Sequence, residues 1–107
     1  MDYIESILKY SPSVDEAAVA ALEEGYRLIL QQPDNKLVAF SDPIEVERVK
    51  NNFFKKKLGL TDEAAMDAAL AHVGQLMSDE IDKNRLTVYY LLADHFGKLD
   101  AIKALDD

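Results

Sequence analysis

Asp42-Pro43-Ile44-Glu45-Val46-Glu47-Arg48-Val49-Lys50-Asn51-Asn52-Phe53-Phe54-Lys55-Lys56-Lys57-Leu58-Gly59 is the stretch that decides the fold. Asp42 stands at an N-cap position, where a carboxylate accepts orphan amide protons. Pro43 takes the first helical position, where its missing N–H costs nothing, and Glu45 lies in the first turn. Three lysines close the run before Gly59, so acids mark the start and bases the end, as the helix macrodipole prefers. On a wheel of ~100° per residue, Val46, Val49 and Phe53 form one apolar stripe. Both ends of a helix are written into these residues.

The same grammar extends in both directions. Upstream, Asp2 to about Tyr10 keeps Ile4, Ile7 and Leu8 at helical spacing, and Ser11-Pro12 breaks the run. Ser13 with Glu16 three residues on reads as a capping box. The helix it opens extends to about Gln31, with Ala18, Val19, Leu22, Tyr26, Ile29 and Leu30 on one face and Glu23 paired with Arg27 on the other. Gln32-Pro33-Asp34-Asn35 is a turn by composition. Lys36 to Ser41 is a connector, extended or a single helical turn, that tucks apolar side chains into the core. Downstream, Thr61 caps a helix whose stripe is Met66, Ala69, Leu70, Val73 and Met77. A last helix spans about Asn84 to Phe96, with Val88, Leu91, Leu92 and His95 as its buried face and Gly97 as its C′ glycine. The tail repeats Leu99, Ile102 and Leu105 at helical spacing, enough for a further turn or two. No segment alternates with period two long enough for a sheet. The expectation is an all-α protein of about five short helices in a compact orthogonal array or irregular bundle. Residues 1–107 read as a single helical domain with its core between about residues 10 and 99.

Composition narrows the function classes. The chain has 107 residues, 49% hydrophobic and 30% charged, which is the balance of a globular protein. It has no cysteine, so a disulfide scaffold, a thiolate metal site and a thiol nucleophile are all excluded. Met1-Asp2-Tyr3-Ile4-Glu5 lacks the basic flank and apolar run of a secretory signal, and no apolar run reaches the ~20 residues that span a bilayer. A cytoplasmic location without membrane contact is the expectation. The formal charge of −8 argues against a chain that grips nucleic acid over its whole surface. Within Pro43 to Leu60, however, five bases face two acids, a local charge of +3 that leaves −11 on the remainder.

Two of these segments carry a resemblance. Asn52-Phe53-Phe54-Lys55-Lys56-Lys57-Leu58-Gly59-Leu60 and Thr87-Val88-Tyr89-Tyr90-Leu91-Leu92-Ala93-Asp94-His95-Phe96-Gly97-Lys98-Leu99 resemble a family of short bacterial proteins, domain of unknown function 2853. Tyr10 to Val19 and Phe40-Ser41-Asp42-Pro43 are similar to it as well. The resemblance runs from about Tyr10 to Leu99. It implies a small all-α fold in bacteria and carries no activity, ligand or catalytic residue to transfer.

The candidate functional residues each admit a plainer reading. Phe54 falls off the main stripe of its wheel, in a row with Lys50 and Lys57. There an aromatic between ammonium groups can stack on a base or cap an anion. The plainer alternative is a core phenylalanine with lysine stems lying over it. Tyr90 points away from Val88 and Leu92, either as an interface anchor or as a half-buried ring with a wet hydroxyl. His95 is a buried base acting with a carboxylate, or a core histidine donating to a carbonyl. His72 lies at a polar helix edge, and the two histidines make no metal-binding spacing. Asp62, Glu63 and Asp67, and Asp79, Glu80 and Asp82, lack the glycine and the closing glutamate of a calcium loop. Gly25 and Gly74, both mid-helix, suggest close helix–helix crossings.

No residue is therefore assigned as catalytic, cofactor-binding or metal-ligating. The expected function is a non-enzymatic helical module that binds a protein or a second copy of itself through Lys50, Phe54, Lys55, Lys56, Lys57 and Tyr90. Phosphate or nucleic-acid binding through the Lys50, Phe54 and Lys57 row, and a small enzyme using His95, are the alternatives.

Overall fold

The computed structural model describes residues 3–32, 37–80 and 83–104, and its longer helices start where a side chain accepts orphan amides. The expected turn at Pro33–Asn35, together with Lys36, Ile81, Asp82 and Leu105, lies outside the described residues. The first helix, α1 (Tyr3–Leu8), buries Ile7, half-buries Ile4 and leaves Leu8 exposed. In α2 (Glu16–Gly25) the cap is Asp15 rather than Ser13. Its carboxylate accepts from the amides of Ala17 and Ala18, while Ser13 offers only its carbonyl to Ser11 Oγ. A carboxylate nearer the helix outcompetes the more distant hydroxyl.

The helix expected to reach Gln31 breaks at Tyr26, which leaves helical geometry (φ −116°, ψ 19°), and resumes as the short α3 (Arg27–Leu30). Gly25, the poorest helix former in the segment, ends α2 in open space and meets no neighbouring helix. The break turns the Tyr26 ring inward and leaves Ile29 and Leu28 exposed. It also replaces the expected Glu23–Arg27 pair by a 3.9 Å contact from Arg27 to Glu24.

Asp42 and Pro43 open α4 (Pro43–Arg48) as expected, Asp42 accepting from the amide of Ile44. α4 then runs without interruption into a π-helical stretch, Val49–Lys55. Gly59, at φ +70°, ends the run in the left-handed region that glycine occupies at no steric cost. The next helix, α5 (Glu63–Leu76), is capped by Asp62 rather than Thr61, and its expected stripe of Met66, Ala69, Leu70, Val73 and Met77 is buried throughout. A Cβ at Gly74 would lie 3.6 Å from the Phe40 ring, an ordinary contact, so the neighbour there is the connector and no close helix–helix crossing requires the glycine. That connector pairs Leu37 with Asn84 in an isolated antiparallel bridge and buries Val38, whose amide donates to the carbonyl of Lys83.

Asn84 caps α6 (Arg85–His95), whose residues from Arg85 to Ala93 are all buried. α1, α2, α5 and α7 (Leu99–Ala104) pack around it, which is why a helix apolar on nearly every side sits at the centre. His95 is the exception to the expected buried face: it lies one turn beyond the packed part and is exposed. Gly97, at φ +66°, is the C′ residue that lets the chain reverse into α7, where Ile102 is fully buried. The architecture is all-α, with no strand among the described residues, and its extents of 29 × 28 × 28 Å match an irregular helix array.

Ion pairs tie the outer elements to one another. Lys103 Nζ lies 2.8 Å from the Asp15 carboxylate, and this bond, with the Ala18 amide, holds the Asp15 pKa below its ordinary value. The Tyr10 hydroxyl does the same for Asp79, and Lys9 followed by Tyr10 for Glu80. All three folded-state pKa values are depressed. Their stabilising contribution is therefore present above the unfolded carboxylate range and lost as pH falls through the folded values. Urea midpoints are expected to drop between about pH 7 and about pH 3, and Asp15→Asn, which can still cap, should flatten that dependence. An unchanged slope in the variant would show that Asp15 plays no part.

A candidate ligand groove over a buried arginine

Arg85 is a charged side chain on an otherwise buried helix, and the groove is built around it. Its residue exposure is 7%, so its guanidinium must be bonded or destabilise the fold. Nη1 donates to the Tyr89 hydroxyl at 2.7 Å, one turn along α6. Nη2 donates to Glu45 Oε1 at 2.6 Å and to the Leu37 carbonyl at 3.2 Å. Burial pulls the Arg85 pKa down, but Tyr89 and Glu45 more than offset this and the net direction is upward. The guanidinium thus stays charged while joining α6 to α4 and the connector.

Rings stiffen the floor. Tyr89 stacks on Phe53 with centroids 4.1 Å apart, and Tyr26 meets Tyr89 edge-on at 5.1 Å. Burial raises the Tyr89 pKa despite the opposing Arg85 charge, and burial followed by Tyr89 raises that of Tyr26. Both phenols therefore stay protonated near neutrality and can donate. Over this floor opens a groove of ≈ 200 Å³ whose rim adds Ile29, Arg48 and Asn52. Among the described residues Arg48 forms no ion pair. Ile44, one turn before Arg48 on the same face of α4, is 66% exposed, and Leu28 on α3 is 70% exposed. A second depression over α3 adjoins the groove and shares Tyr26 and Ile29 with it.

The π-helical stretch shapes both this groove and the core beneath it. Its i→i+5 hydrogen bonding underwinds the helix, which swings Phe54 from the far side of an α-helical wheel toward the face of Val49. Phe54 is accordingly 0% exposed, stacked edge-on against Phe96 at 5.5 Å. The expectation that Phe54 lies on an interaction surface is corrected: a wheel at α-helical pitch misplaced it, and its plainer reading as a core ring holds. Tyr90 is corrected too. At 2% exposure it is interior, and its hydroxyl accepts from the Asp15 amide at 2.8 Å rather than meeting water. Of the lysines, Lys50 is paired with Asp67 and only 12% exposed in its side chain, and Lys55 lies 3.9 Å from Glu63. Lys56 and Lys57 remain exposed. The Lys50, Phe54 and Lys57 row is therefore not a continuous surface.

The structure does bring the two histidines together, with ring centroids 5.3 Å apart, both residues exposed. No ion pair joins either to a carboxylate among the described residues, so the acid–base pairing expected of His95 is not formed there. No group of three or more His, Asp or Glu among the described residues is placed to hold a metal ion. Of the acids weighed for calcium, Asp62 caps α5 while Glu63, Asp67, Asp79 and Glu80 lie against lysines, and Asp82 is outside the described residues. No described helix is long and apolar enough to cross a membrane.

Sequence reasoning gave Arg85, Glu45, Arg48 and Tyr26 no functional role. The available signal was a lone arginine leading the apolar run Leu86 to Ala93, which a buried helix tolerates only with a partner. Compared with known proteins, residues 2–100 match a family model described as a protein of unknown function, DUF2853. No curated protein matches the chain.

Proposed function

The chain belongs to this DUF2853 family of unknown function, and from that premise we propose that the groove makes it a protein-interaction module. The partner it suits is a peptide segment carrying an acidic side chain beside aliphatic ones. The observation that carries this reading is the exposed Arg48 on the groove with exposed Ile29, and with exposed Ile44 one turn before it on α4, above a floor whose buried charges are already bonded. A rigid floor costs little ordering on binding, and arginine is among the residues enriched as interface anchors. The rim charge is positive on a chain of net charge −8, so an acidic segment is drawn to this region and repelled from most others.

The test is selection of peptides from a random display library on the immobilised domain, followed by affinity measurement. Enriched peptides are expected to combine Asp or Glu with aliphatic residues. Arg48→Glu should weaken them at least about tenfold, equivalent to about 1.4 kcal/mol, and Ile44→Asp should do likewise. Both sites are exposed, so circular dichroism should be unchanged. Peptides that bind both variants as well as the parent would refute the reading.

A further inference from the structure

The paired histidines form an arrangement that the groove does not use. His72 lies on α5 and His95 at the end of α6, two helices packed against each other, so the pair is a tertiary feature rather than a local one. The ring planes are tilted by 36° and the centroids are 5.3 Å apart. Two imidazoles sharing one tetrahedral ion at about 2.0–2.1 Å from each nitrogen place their centroids about 5.2 Å apart. The observed spacing matches that of two imidazoles on one ion, and both rings are exposed, so rotation about their side-chain bonds is what would turn a nitrogen of each toward it.

Three further observations favour a cation there. The Phe96 ring stands edge-on to His95 at 5.2 Å and 88°, and Phe96 in turn rests on buried Phe54, which restrains the imidazole. His95 occupies the last turn of α6, the negative end of an 11-residue helix dipole. Gln75, one turn beyond His72 on α5, lines a depression together with His72 and Leu76 and carries a neutral oxygen donor on that side of the pair.

We propose that His72 and His95 form a two-imidazole clip for a late first-row divalent cation, with Gln75 as a third donor and the remaining positions open. Nitrogen-rich, cysteine-free ligation selects Cu²⁺, Ni²⁺ and Zn²⁺ over Mg²⁺ or Ca²⁺, with Cu²⁺ held most tightly.

The experiment is calorimetric titration of Ni²⁺, Zn²⁺ and Cu²⁺ into the untagged, chelator-treated chain, with the imidazole signals followed by NMR. One ion per chain is expected, with both rings perturbed together by Zn²⁺. His72→Asn and His95→Asn should each weaken binding at least about tenfold while helicity is retained. Gln75→Leu should cause a smaller loss. Perturbation of one ring only, a single variant with parental affinity, or no saturable binding would each overturn the proposal. None of these outcomes bears on the groove, because Arg48 and Ile44 lie on other elements.

Discussion

Phe54→Asp is expected to unfold the domain. The ring is fully buried between Phe53, at 6.0 Å, and Phe96, so a carboxylate placed there has neither water nor a cation. The effective cost of burying such a charge is several kcal/mol, against a total stability of about 5–15 kcal/mol for a typical domain. Phe54→Ala removes the ring without adding charge and should cost about 3–5 kcal/mol, read as a lowered urea midpoint with a largely unchanged slope. Phe54→Leu, which refills most of the space, should fall well short of that loss. A Phe54→Asp protein with parental helicity and midpoint would show that the ring is not part of the core. Loss of binding in this variant would accordingly say nothing about where a partner docks.

Arg85→Met should destabilise the fold by about 3–5 kcal/mol, because it strands the Glu45 carboxylate at 14% side-chain exposure without its cation. Removing both charges reverses much of the damage. The double replacement Arg85→Met with Glu45→Met is expected within about 1–2 kcal/mol of the parent, since apolar side chains of similar volume often replace a buried ion pair at small cost. A double-mutant cycle by urea denaturation measures the coupling directly. If the two single losses simply add, the 2.6 Å contact is not the source of the effect. The double variant also separates stability from recognition, as it keeps Arg48 and Ile44 while altering the floor beneath them.

The all-α architecture was legible because caps, glycines and three-four spacing act locally. Asp42-Pro43, Gly59, Asn84 and Gly97 mark helix ends whatever the rest of the chain does. The candidate site was not legible, for two physical reasons. A π-helical stretch changes the angular phase of every following side chain, so Lys50, Phe54 and Lys57 no longer share the face that an α-helical wheel gives them. The groove, moreover, depends on pairings across 40 and 48 residues of chain, Arg85 with Glu45 and with Leu37, which no spacing rule records. Tyr90 shows the same limit. Its partner amide at Asp15 is 75 residues away, so its interior position followed from tertiary packing alone.

The central place of α6 also sets the order in which the chain can acquire its fold during synthesis. α1, α2 and α5 all precede the helix they enclose, and each needs its buried face to close against it or against one another. Isolated helices this short are marginal in water, so the segments made first emerge without a stable home for their apolar stripes. The ribosome must deliver residues 85–95, and then the α7 segment that seals them, before a core exists. Early-made segments wait on a late-made one, and the domain forms only once residues 99–104 have been made.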